Sequence, residues 1–92
     1  MKTIWTYIVA VGEIVTLNMP GGAVLLPTVE PEAGGARFWA EVDPIAPVEE
    51  RRFVIFGTGQ SIPAIESRYV GTSWDGLFAW HLFELVGIRG GS

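Results

Sequence analysis

Cysteine is absent from this chain of 92 residues, and histidine occurs only at His81. Without cysteine the chain can form neither a disulfide framework nor a thiolate metal site, so a cytoplasmic location fits it at least as well as secretion. The sequence also contains no recognisable nucleophile or metal-binding signature. We therefore predict a protein that is not an enzyme and that needs no cofactor or metal.

Charged side chains are scarce and unbalanced. They form 17% of the chain, and six basic residues against ten acidic ones give a net charge of −4. An acidic chain repels the phosphate backbone, which argues against long nucleic acid as a partner. No apolar run approaches the ~18 residues of a membrane helix, and residues 4–11 are too short and lack the cleavage site of a signal peptide. We expect a soluble, cytoplasmic protein that does not bind a membrane.

Hydrophobic residues are abundant for a chain of this size. They make up 49% of the sequence, whereas a domain this small buries only about 60 to 65% of the surface that its unfolded chain exposes. Too few polar side chains remain to cover a small globule. We predict a homo-oligomer that covers the surplus apolar surface; a monomer that exposes scattered aromatic side chains is the alternative.

Stretches with strand-like alternation recur about every ten residues, separated by glycine and proline turns. The predicted strands span residues 3–10, 13–18, 23–30, 36–43, 53–57, 67–74 and 77–86. Pro27 marks the third as an edge strand or as a strand with a bulge. We expect one all-β domain over residues 1–92, a small antiparallel sandwich or barrel of about six to eight strands. At most one short helical turn, at residues 64–68, and a frayed tail, at residues 87–92, complete it.

Two of these strands carry further information. Residues 67–74 and 77–86 meet at Asp75-Gly76, a strong hairpin signal, since both residues tolerate the positive φ of a two-residue type I′ turn. Residues 77–86 are apolar on both faces, which predicts a central strand or one that packs on another subunit. In residues 36–43, Phe38, Ala40 and Val42 alternate with polar residues. This pattern predicts one buried and one solvated face.

Seven short blocks occur in a characteristic order along the chain. They are M-K-T-I-W at residues 1–5, M-P at 19–20, V-D-P at 42–44, R-R-F at 51–53, G-T-G at 57–59, Y-V-G-T at 69–72 and H-L-F-E-L at 81–85. This order resembles, from residue 1 to about residue 85, a family of short proteins encoded by bacteriophages and prophages, and residues 63–67 depart from it, where relatives are more acidic. Its members generally have no assigned function, so the resemblance implies a phage accessory protein and no catalytic residues.

A candidate ligand site begins at Gly57-Thr58-Gly59. This segment follows a predicted strand and is similar to a phosphate-binding turn, because glycine lets backbone N–H groups approach an anion closely. Arg51 and Arg52 precede it, and a guanidinium group suits a phosphate. Because no P-loop lysine or helix follows, a structural turn beside the charged residues 49–52 is the alternative. Arg51 and Arg52 point to opposite faces, and we predict that Arg52 is the one that contacts the ligand.

Arg37, Arg68, Trp39 and Trp74 extend this candidate site. Arg37 shares a strand face with Trp39, and Trp74 lies at the lip of the hairpin turn. Aromatic rings in such positions stack on bases or anchor partner proteins. Core packing accounts for the other two tryptophans, which are Trp5 and Trp80.

His81, Glu41 and Asp43 are the remaining candidates for chemistry. A single imidazole can act as a general base, but His81 lies among apolar residues, so a core or interface position is the simpler interpretation. Glu41 and Asp43 share a strand face and could bind a divalent cation or form an acid–base pair. A solvated strand face is the simpler interpretation for them.

These features favour a phage accessory protein that acts against host antiviral defence without catalysis. One route sequesters a nucleotide-derived signal in a pocket at a subunit boundary, for which the arginines, the glycine turn and the exposed tryptophans are suited. A second route blocks a host defence protein by direct contact through the acidic and apolar surface. A minor virion or assembly component is a third hypothesis that rests on phage origin alone. We favour sequestration.

Overall fold

The computed structural model describes residues 1–86, so the tail predicted at residues 87–92 lies outside the described part. Seven strands form two antiparallel sheets, which confirms the predicted all-β class. The strands are β1 (Thr3–Ala10), β2 (Val15–Pro20), β3 (Val24–Glu32), β4 (Gly35–Val42), β5 (Val48–Gly57), β6 (Ser67–Trp74) and β7 (Ala79–Leu85). Within residues 1–86 there is no helix with the length and apolar character that crossing a membrane requires.

The two sheets pack face to face around one core. Sheet A has the strand order β1-β4-β3, and sheet B has the order β2-β5-β7-β6. The ring centroids of Phe38 in sheet A and Phe53 in sheet B are 5.0 Å apart. The largest fully buried side chains come from both sheets and are Phe38, Phe53, Met19, Ile55, Leu82, Val9 and Val42.

The central strand of sheet A follows the predicted alternation. Phe38, Ala40 and Val42 of β4 are buried, whereas Arg37 and Trp39 are half-buried on the outer face. Because β1 and β3 pair with the two edges of β4, its apolar face is pressed against sheet B. The period-two pattern therefore identified the strand and its buried face correctly.

The central position predicted for the last strand is also confirmed. β7 lies between β5 and β6, with Leu82 and Glu84 buried towards sheet A. Its opposite face, together with Val54 and Phe56 of β5, forms a second apolar cluster. The segment that contains Ile62 lies against this cluster. A strand with two covered faces explains why nearly every residue of β7 is apolar.

Several predicted boundaries are wrong. β5 begins at Val48, five residues before the predicted strand at residue 53, because its first half pairs with β2 through Met19↔Glu49 and Pro20↔Val48. β2 correspondingly runs from Val15 to Pro20 and not over residues 13–18. Residues 64–68 form no helical turn, since Ser67 already belongs to β6.

The connection between β6 and β7 is not a two-residue type I′ turn. Gly76 has a φ of 95°, but no non-glycine residue in the described part has a positive φ, so Asp75 does not take the type I′ conformation. Four residues, 75–78, connect the strands instead. The Asp75 side chain explains the wider loop, because its Oδ1 accepts the N–H groups of Leu77 at 2.9 Å and Phe78 at 2.7 Å.

β3 and β6 are edge strands of different sheets, and they lie against each other on one side of the sandwich. Each is irregular, with a register shift between Leu25 and Val29 in β3 and between Tyr69 and Gly71 in β6. The prediction from Pro27 of an edge strand or a bulge is therefore confirmed on both counts. The two edges are in close contact at Gly71, and a cleft opens beside this contact.

Gly71 permits this contact because it has no side chain. A Cβ at this position would lie 2.5 Å from Val29 Cγ2 and 3.2 Å from the Pro27 carbonyl oxygen. We expect Gly71→Ala to lower the free energy of unfolding by about 1 to 3 kcal/mol, because the two edges must move apart. Adding Val29→Ala removes the nearest methyl group. The double variant should therefore lose less unfolding free energy than the sum of the losses in the two single variants. Urea denaturation of the three variants checks this, and additive effects would contradict the contact.

Candidate functional site

An open cleft of about 320 Å³ lies between β3 and β6 at the bulged edge of the sandwich. Arg51 of β5 and Arg68 of β6 both line it, and we call it the arginine cleft. Its remaining lining residues are residues 23–27 together with Tyr69 and Val70. The structure thus brings together two of the arginines that the sequence nominated, from strands that are not adjacent in the sheet.

Arg51 is fixed in the arginine cleft by an ion pair with Glu84. Its Nε and Nη2 donate to the two carboxylate oxygens of Glu84 at 2.6 and 2.7 Å, and its Nη1 donates to the Ala23 carbonyl oxygen at 2.6 Å. The side chains of Arg51 and Glu84 are only 14% and 6% exposed. The hydrogen bonds to Glu84 raise the pKa of Arg51, although burial acts in the opposite direction. Arg51 therefore stays charged and holds one orientation.

Arg68 supplies the accessible charge of the arginine cleft. It stands opposite Glu84 in the β6–β7 ladder, with its Nη1 4.0 Å from Glu84 Oε1 and its side chain 66% exposed. A contact at this distance in solvent contributes little free energy. Since Arg51 already occupies both oxygens of Glu84, the guanidinium group of Arg68 is available to an incoming anion.

Tyr7 adds an unused hydroxyl group near Arg51. The hydroxyl oxygen is enclosed without a hydrogen-bond partner, and the Tyr7 ring stacks on Phe38 with centroids 5.5 Å apart. Burial raises the pKa of Tyr7, while the charge of Arg51 lowers it. An unpartnered buried hydroxyl costs free energy. Apolar packing alone therefore does not explain the polar group at this end of the core.

Arg52 lies on the other face of β5 from Arg51, as the alternation predicted. Its Nη2 is 4.0 Å from Glu50 Oε1 on the outer side of sheet B. Arg51, and not Arg52, lines the arginine cleft. The arginine cleft therefore does not include Arg52, because alternation shows that the two side chains diverge but not which of them points inward; a ligand contact of Arg52 stays a prediction.

Arg37 and Trp39 lie apart from the arginine cleft, on the outer face of sheet A. They share this face, as predicted, and pair with Ile8 and Thr6 of β1. Arg37 Nε donates to Glu32 Oε2 at 2.7 Å, so its charge is already matched. Within one chain these two residues do not contribute to the same pocket as Arg51.

Gly57-Thr58-Gly59 forms a closed turn at the end of β5. Gly59 has a φ of 88°, and the Gln60 N–H donates to the Gly57 carbonyl oxygen at 3.0 Å. The Gln60 side-chain oxygen accepts the Gly57 N–H at 3.0 Å, and the Thr58 N–H points to the Ala79 carbonyl oxygen at 3.4 Å. Most amide groups that a phosphate would require are used internally. The geometry favours a structural turn over a phosphate-binding turn.

A second open cleft, of about 430 Å³, lies between this turn and the β6–β7 hairpin, and we call it the hairpin cleft. Its lining residues are Gly57, Thr58, Gln60, Trp74, Leu77, Phe78, Ala79 and Trp80, none of which is charged. Arg68 and Trp74 are six residues apart on β6, about 20 Å along an extended strand. The two clefts are therefore separate sites in one chain.

Asp75 orders the loop that borders the hairpin cleft. Besides the two loop N–H groups, its carboxylate accepts the indole N–H of Trp80 at 3.0 Å. The hydrogen bond from Trp80, followed by those from Phe78 and Leu77, lowers the pKa of Asp75. Even so, Trp74, Leu77 and Phe78 are 63, 79 and 59% exposed. The hairpin therefore presents large apolar side chains to solvent on an ordered loop.

The tryptophans do not all lie where the sequence predicted, with Trp5 and Trp80 in the core and Trp74 exposed at the hairpin. Trp74 is exposed at the hairpin, as expected, and the half-buried Trp80 packs against the core. Trp5, in contrast, is 42% exposed. It lies near the start of β1 and pairs with Ala40 of β4. The assignment of Trp5 to the core is therefore wrong.

His81 is half-buried on the outer face of sheet B and not in the core, so that part of the prediction is wrong. Its Nε2 is 2.8 Å from Thr58 Oγ1, and its Nδ1 is 3.0 Å from Thr72 Oγ1. Thr72 Oγ1 is in turn 2.5 Å from the Tyr69 hydroxyl oxygen. These neutral partners orient the imidazole ring but place no carboxylate behind it. An interface role for His81 stays a prediction.

Glu41 and Asp43 occupy separate surroundings. Glu41 Oε1 is 3.5 Å from Lys2 Nζ, whereas Asp43 Oδ1 accepts the Ile45 N–H at 3.2 Å in the following turn. Residues 1–86 contain no group of three or more side chains that could hold a metal ion. β4 ends at Val42, so Asp43 does not share a strand face with Glu41 as predicted, and the geometry favours a solvated position on β4 for Glu41 alone.

Glu84 is the important residue to which the sequence analysis gave no role. It lies on the same face of β7 as Trp80 and Leu82, which indicates a carboxylate that points into the core. A buried carboxylate requires a basic partner. This requirement, applied to the sequence, would have favoured an inward arginine and hence Arg51 or Arg68.

Comparison with known proteins places the chain in a family. Residues 1–89 match the family described as a domain of unknown function (DUF7352). The chain belongs to this family. No curated protein and no solved structure matches it. The DUF7352 match includes all of the residues that line the arginine cleft and the hairpin cleft.

Proposed function

We propose that this DUF7352 protein is a non-catalytic phage accessory protein that acts against host antiviral defence by sequestering a nucleotide-derived anion in the arginine cleft. The observation that carries the proposal is the convergence of Arg51 and Arg68 on one open cleft. The sequence resemblance to phage and prophage proteins supplies the biological context, with the cytoplasm of the host cell as the location.

The charges of the arginine cleft support an anionic ligand. Arg51 and Arg68 line the cleft and no carboxylate of the described residues does, although Glu84 and Glu49 nearby act on Arg51, in a chain whose net charge is −4. A guanidinium group can hold a phosphate through two parallel hydrogen bonds. Arg68 is free to do so, and Arg51 adds a fixed positive charge without having to reorganise. Binding therefore costs little ordering of the site.

The dimensions of the arginine cleft suit a small ligand. Its volume of about 320 Å³ is near the lower end of the range for small-molecule sites, which is roughly 300 to 1,000 Å³. The acidic chain as a whole opposes a long polyanion. A mononucleotide, or one half of a cyclic dinucleotide, fits these limits. Sharing of the ligand with a second subunit stays a prediction.

Sequestration is favoured over turnover because the cleft offers groups that bind and none arranged to react. Arginine, tyrosine and aliphatic residues line it, without the hydrogen-bonded nucleophile and base that covalent catalysis requires. We therefore keep the prediction that the protein is not an enzyme. An activity that survives extensive purification and is lost in His81→Ala or Glu41→Ala would overturn it.

A thermal-shift screen of cyclic and linear nucleotides tests the proposed ligand class. We expect at least one nucleotide to raise the melting temperature of the wild type, because a ligand that binds only the folded state stabilises it. The shift should be lost in Arg68→Ala, whose side chain is 66% exposed and adds little to stability. Arg52→Ala and Trp39→Ala should keep the shift, since both residues lie outside the arginine cleft.

The outcomes of this screen distinguish the arginine cleft from the site predicted from sequence, and sequestration from direct blocking of a host protein. Loss of the shift in Arg52→Ala but not in Arg68→Ala would contradict the arginine cleft and restore the site predicted from sequence. If no nucleotide shifts the wild type, direct blocking of a host defence protein becomes the leading function. The exposed Trp74, Leu77 and Phe78 specifically favour that second candidate, because aromatic side chains often anchor protein interfaces.

A further inference from the structure

The hairpin cleft combines a protruding apolar side chain with an apolar cavity on one surface. Leu77, at the lip, is 79% exposed, and Trp74, Phe78 and Trp80 line a space of about 430 Å³ beside it. A protrusion next to a cavity is self-complementary under two-fold rotation, because the protrusion of each copy meets the cavity of the other. We infer that two copies of this chain pair through their hairpin clefts, with Leu77 of each copy entering the cleft of its partner.

Charge favours a second copy as the occupant of this surface. Each chain carries a net charge of −4, so two copies repel each other over most of their surfaces. The residues that line the hairpin cleft are all uncharged. The adjacent Asp75 directs its oxygens to the N–H groups of Leu77, Phe78 and Trp80. The hairpin cleft is thus a place where two acidic chains can meet with uncharged lining residues in contact, and the nearby negative charge is that of Asp75.

The hairpin is also ordered before any partner arrives. The carboxylate of Asp75 ties both loop N–H groups and the Trp80 indole together, and the Phe78 and Trp80 rings pack with centroids 5.9 Å apart. Side chains that are held in place lose little conformational entropy on association. A loop that exposes Leu77 and Phe78 in a fixed arrangement is therefore suited to binding.

The apolar area sets the expected strength of the dimer. Large apolar side chains contribute about 150 to 250 Å² each when fully covered. With Trp74, Leu77 and Phe78 exposed by 59 to 79%, these three side chains can bury roughly 300 to 500 Å² per chain, against about 800 Å² in a standard interface. The facing turn at Thr58 and Gln60 supplies part of the difference. An area below the standard size favours a weak, reversible dimer, which leaves the arginine cleft open at the other end of β6.

Sedimentation velocity over a range from low micromolar to submillimolar concentration tests the inference. The wild type should change from the 10.0 kDa chain to a species of twice that mass as the concentration rises. Leu77→Asp should remain monomeric throughout, because two buried carboxylates would have to enter apolar cavities. Its melting temperature under dilute conditions should match that of the wild type, since Leu77 is largely exposed.

Ile45→Asp is the matched control, because Ile45 is 89% exposed in a turn that does not line the hairpin cleft. This variant should dimerise like the wild type. If Leu77→Asp fails to fold, Trp74→Glu at the same cleft serves in its place. A wild type that stays monomeric at submillimolar concentration, or a dimer that Leu77→Asp and Trp74→Glu leave intact, would overturn the inference. Dissociation by Ile45→Asp alone would assign the interface to a different surface and overturn it as well.

Discussion

Replacing Glu84 by leucine should lower the free energy of unfolding by about 3 to 5 kcal/mol, because it leaves the buried Arg51 without its carboxylate. Arg51 uses two of its nitrogens on Glu84 at 2.6 and 2.7 Å, and its side chain is only 14% exposed. A small domain has only about 5 to 15 kcal/mol of stability in total. Urea denaturation of Glu84→Leu should therefore show a midpoint far below that of the wild type.

The double variant Arg51→Met with Glu84→Leu is the control for this prediction. It replaces both charges with apolar groups, so it should recover most of the lost stability, as replacement of buried ion pairs often does. Arg68→Ala should be near the wild type, since its contact with Glu84 is long and exposed. Exposed ion pairs typically contribute at most about 1 kcal/mol. A Glu84→Leu variant whose free energy of unfolding falls by no more than this would show that the pair is not buried as described.

Gly35→Ala is the second change for which we expect a large loss of stability. A Cβ on Gly35 would overlap the Val9 carbonyl oxygen and lie 3.0 Å from the Val9 carbonyl carbon and 3.1 Å from Ala10 Cα. All three atoms belong to the backbone of β1, which pairs with β4 at this point. No side chain can therefore move aside, and we expect a loss of about 3 kcal/mol, at the upper end of the range for overpacking.

Thermal unfolding of Gly35→Ala and Gly71→Ala checks this expectation by comparison. At Gly71 the nearest contact of a Cβ is a side-chain atom, Val29 Cγ2 at 2.5 Å, with the Pro27 carbonyl oxygen at 3.2 Å, so its replacement should cost less than that of Gly35, where the nearest atoms are all backbone. In Gly35→Ala, amide exchange should also rise along β1 and at Val11 just after it, whose N–H donates to the Gly34 carbonyl oxygen at 2.9 Å. Equal stability of the two variants would contradict the closer approach at Gly35.

The fold was largely predictable from the sequence because strand alternation and turn residues are local signals. The buried face of β4, the central position of β7 and the bulge at Pro27 follow from residue patterns alone. The prediction of a two-residue turn at Asp75-Gly76 was wrong, because the hydrogen bonds of the Asp75 side chain stabilise a four-residue loop. The Asp-Gly pair alone does not reveal these hydrogen bonds. The early start of β5 at Val48 was missed because pairing with β2, and not local preference, extends it.

The candidate site was only partly predictable, because it depends on which strands become neighbours. Alternation showed that Arg51 and Arg52 point apart, but only the packing of two sheets shows that Arg51 points inward to Glu84. Arg68 joins Arg51 because the edges of β3 and β6 meet at Gly71 and separate beside it. Trp39 was nominated for the same site, yet it lies on the outer face of sheet A and does not line the arginine cleft.

Calorimetric titration of the nucleotide that gives the largest thermal shift, into the wild type and into Arg68→Ala, tests the central proposal most directly. We predict one bound nucleotide per arginine cleft in the wild type. In Arg68→Ala, the loss of a guanidinium–phosphate contact should weaken the affinity by about 10- to 150-fold. Arg52→Ala should bind like the wild type. Equal affinity of Arg68→Ala and the wild type, or no binding of any nucleotide to the wild type, would contradict sequestration in the arginine cleft.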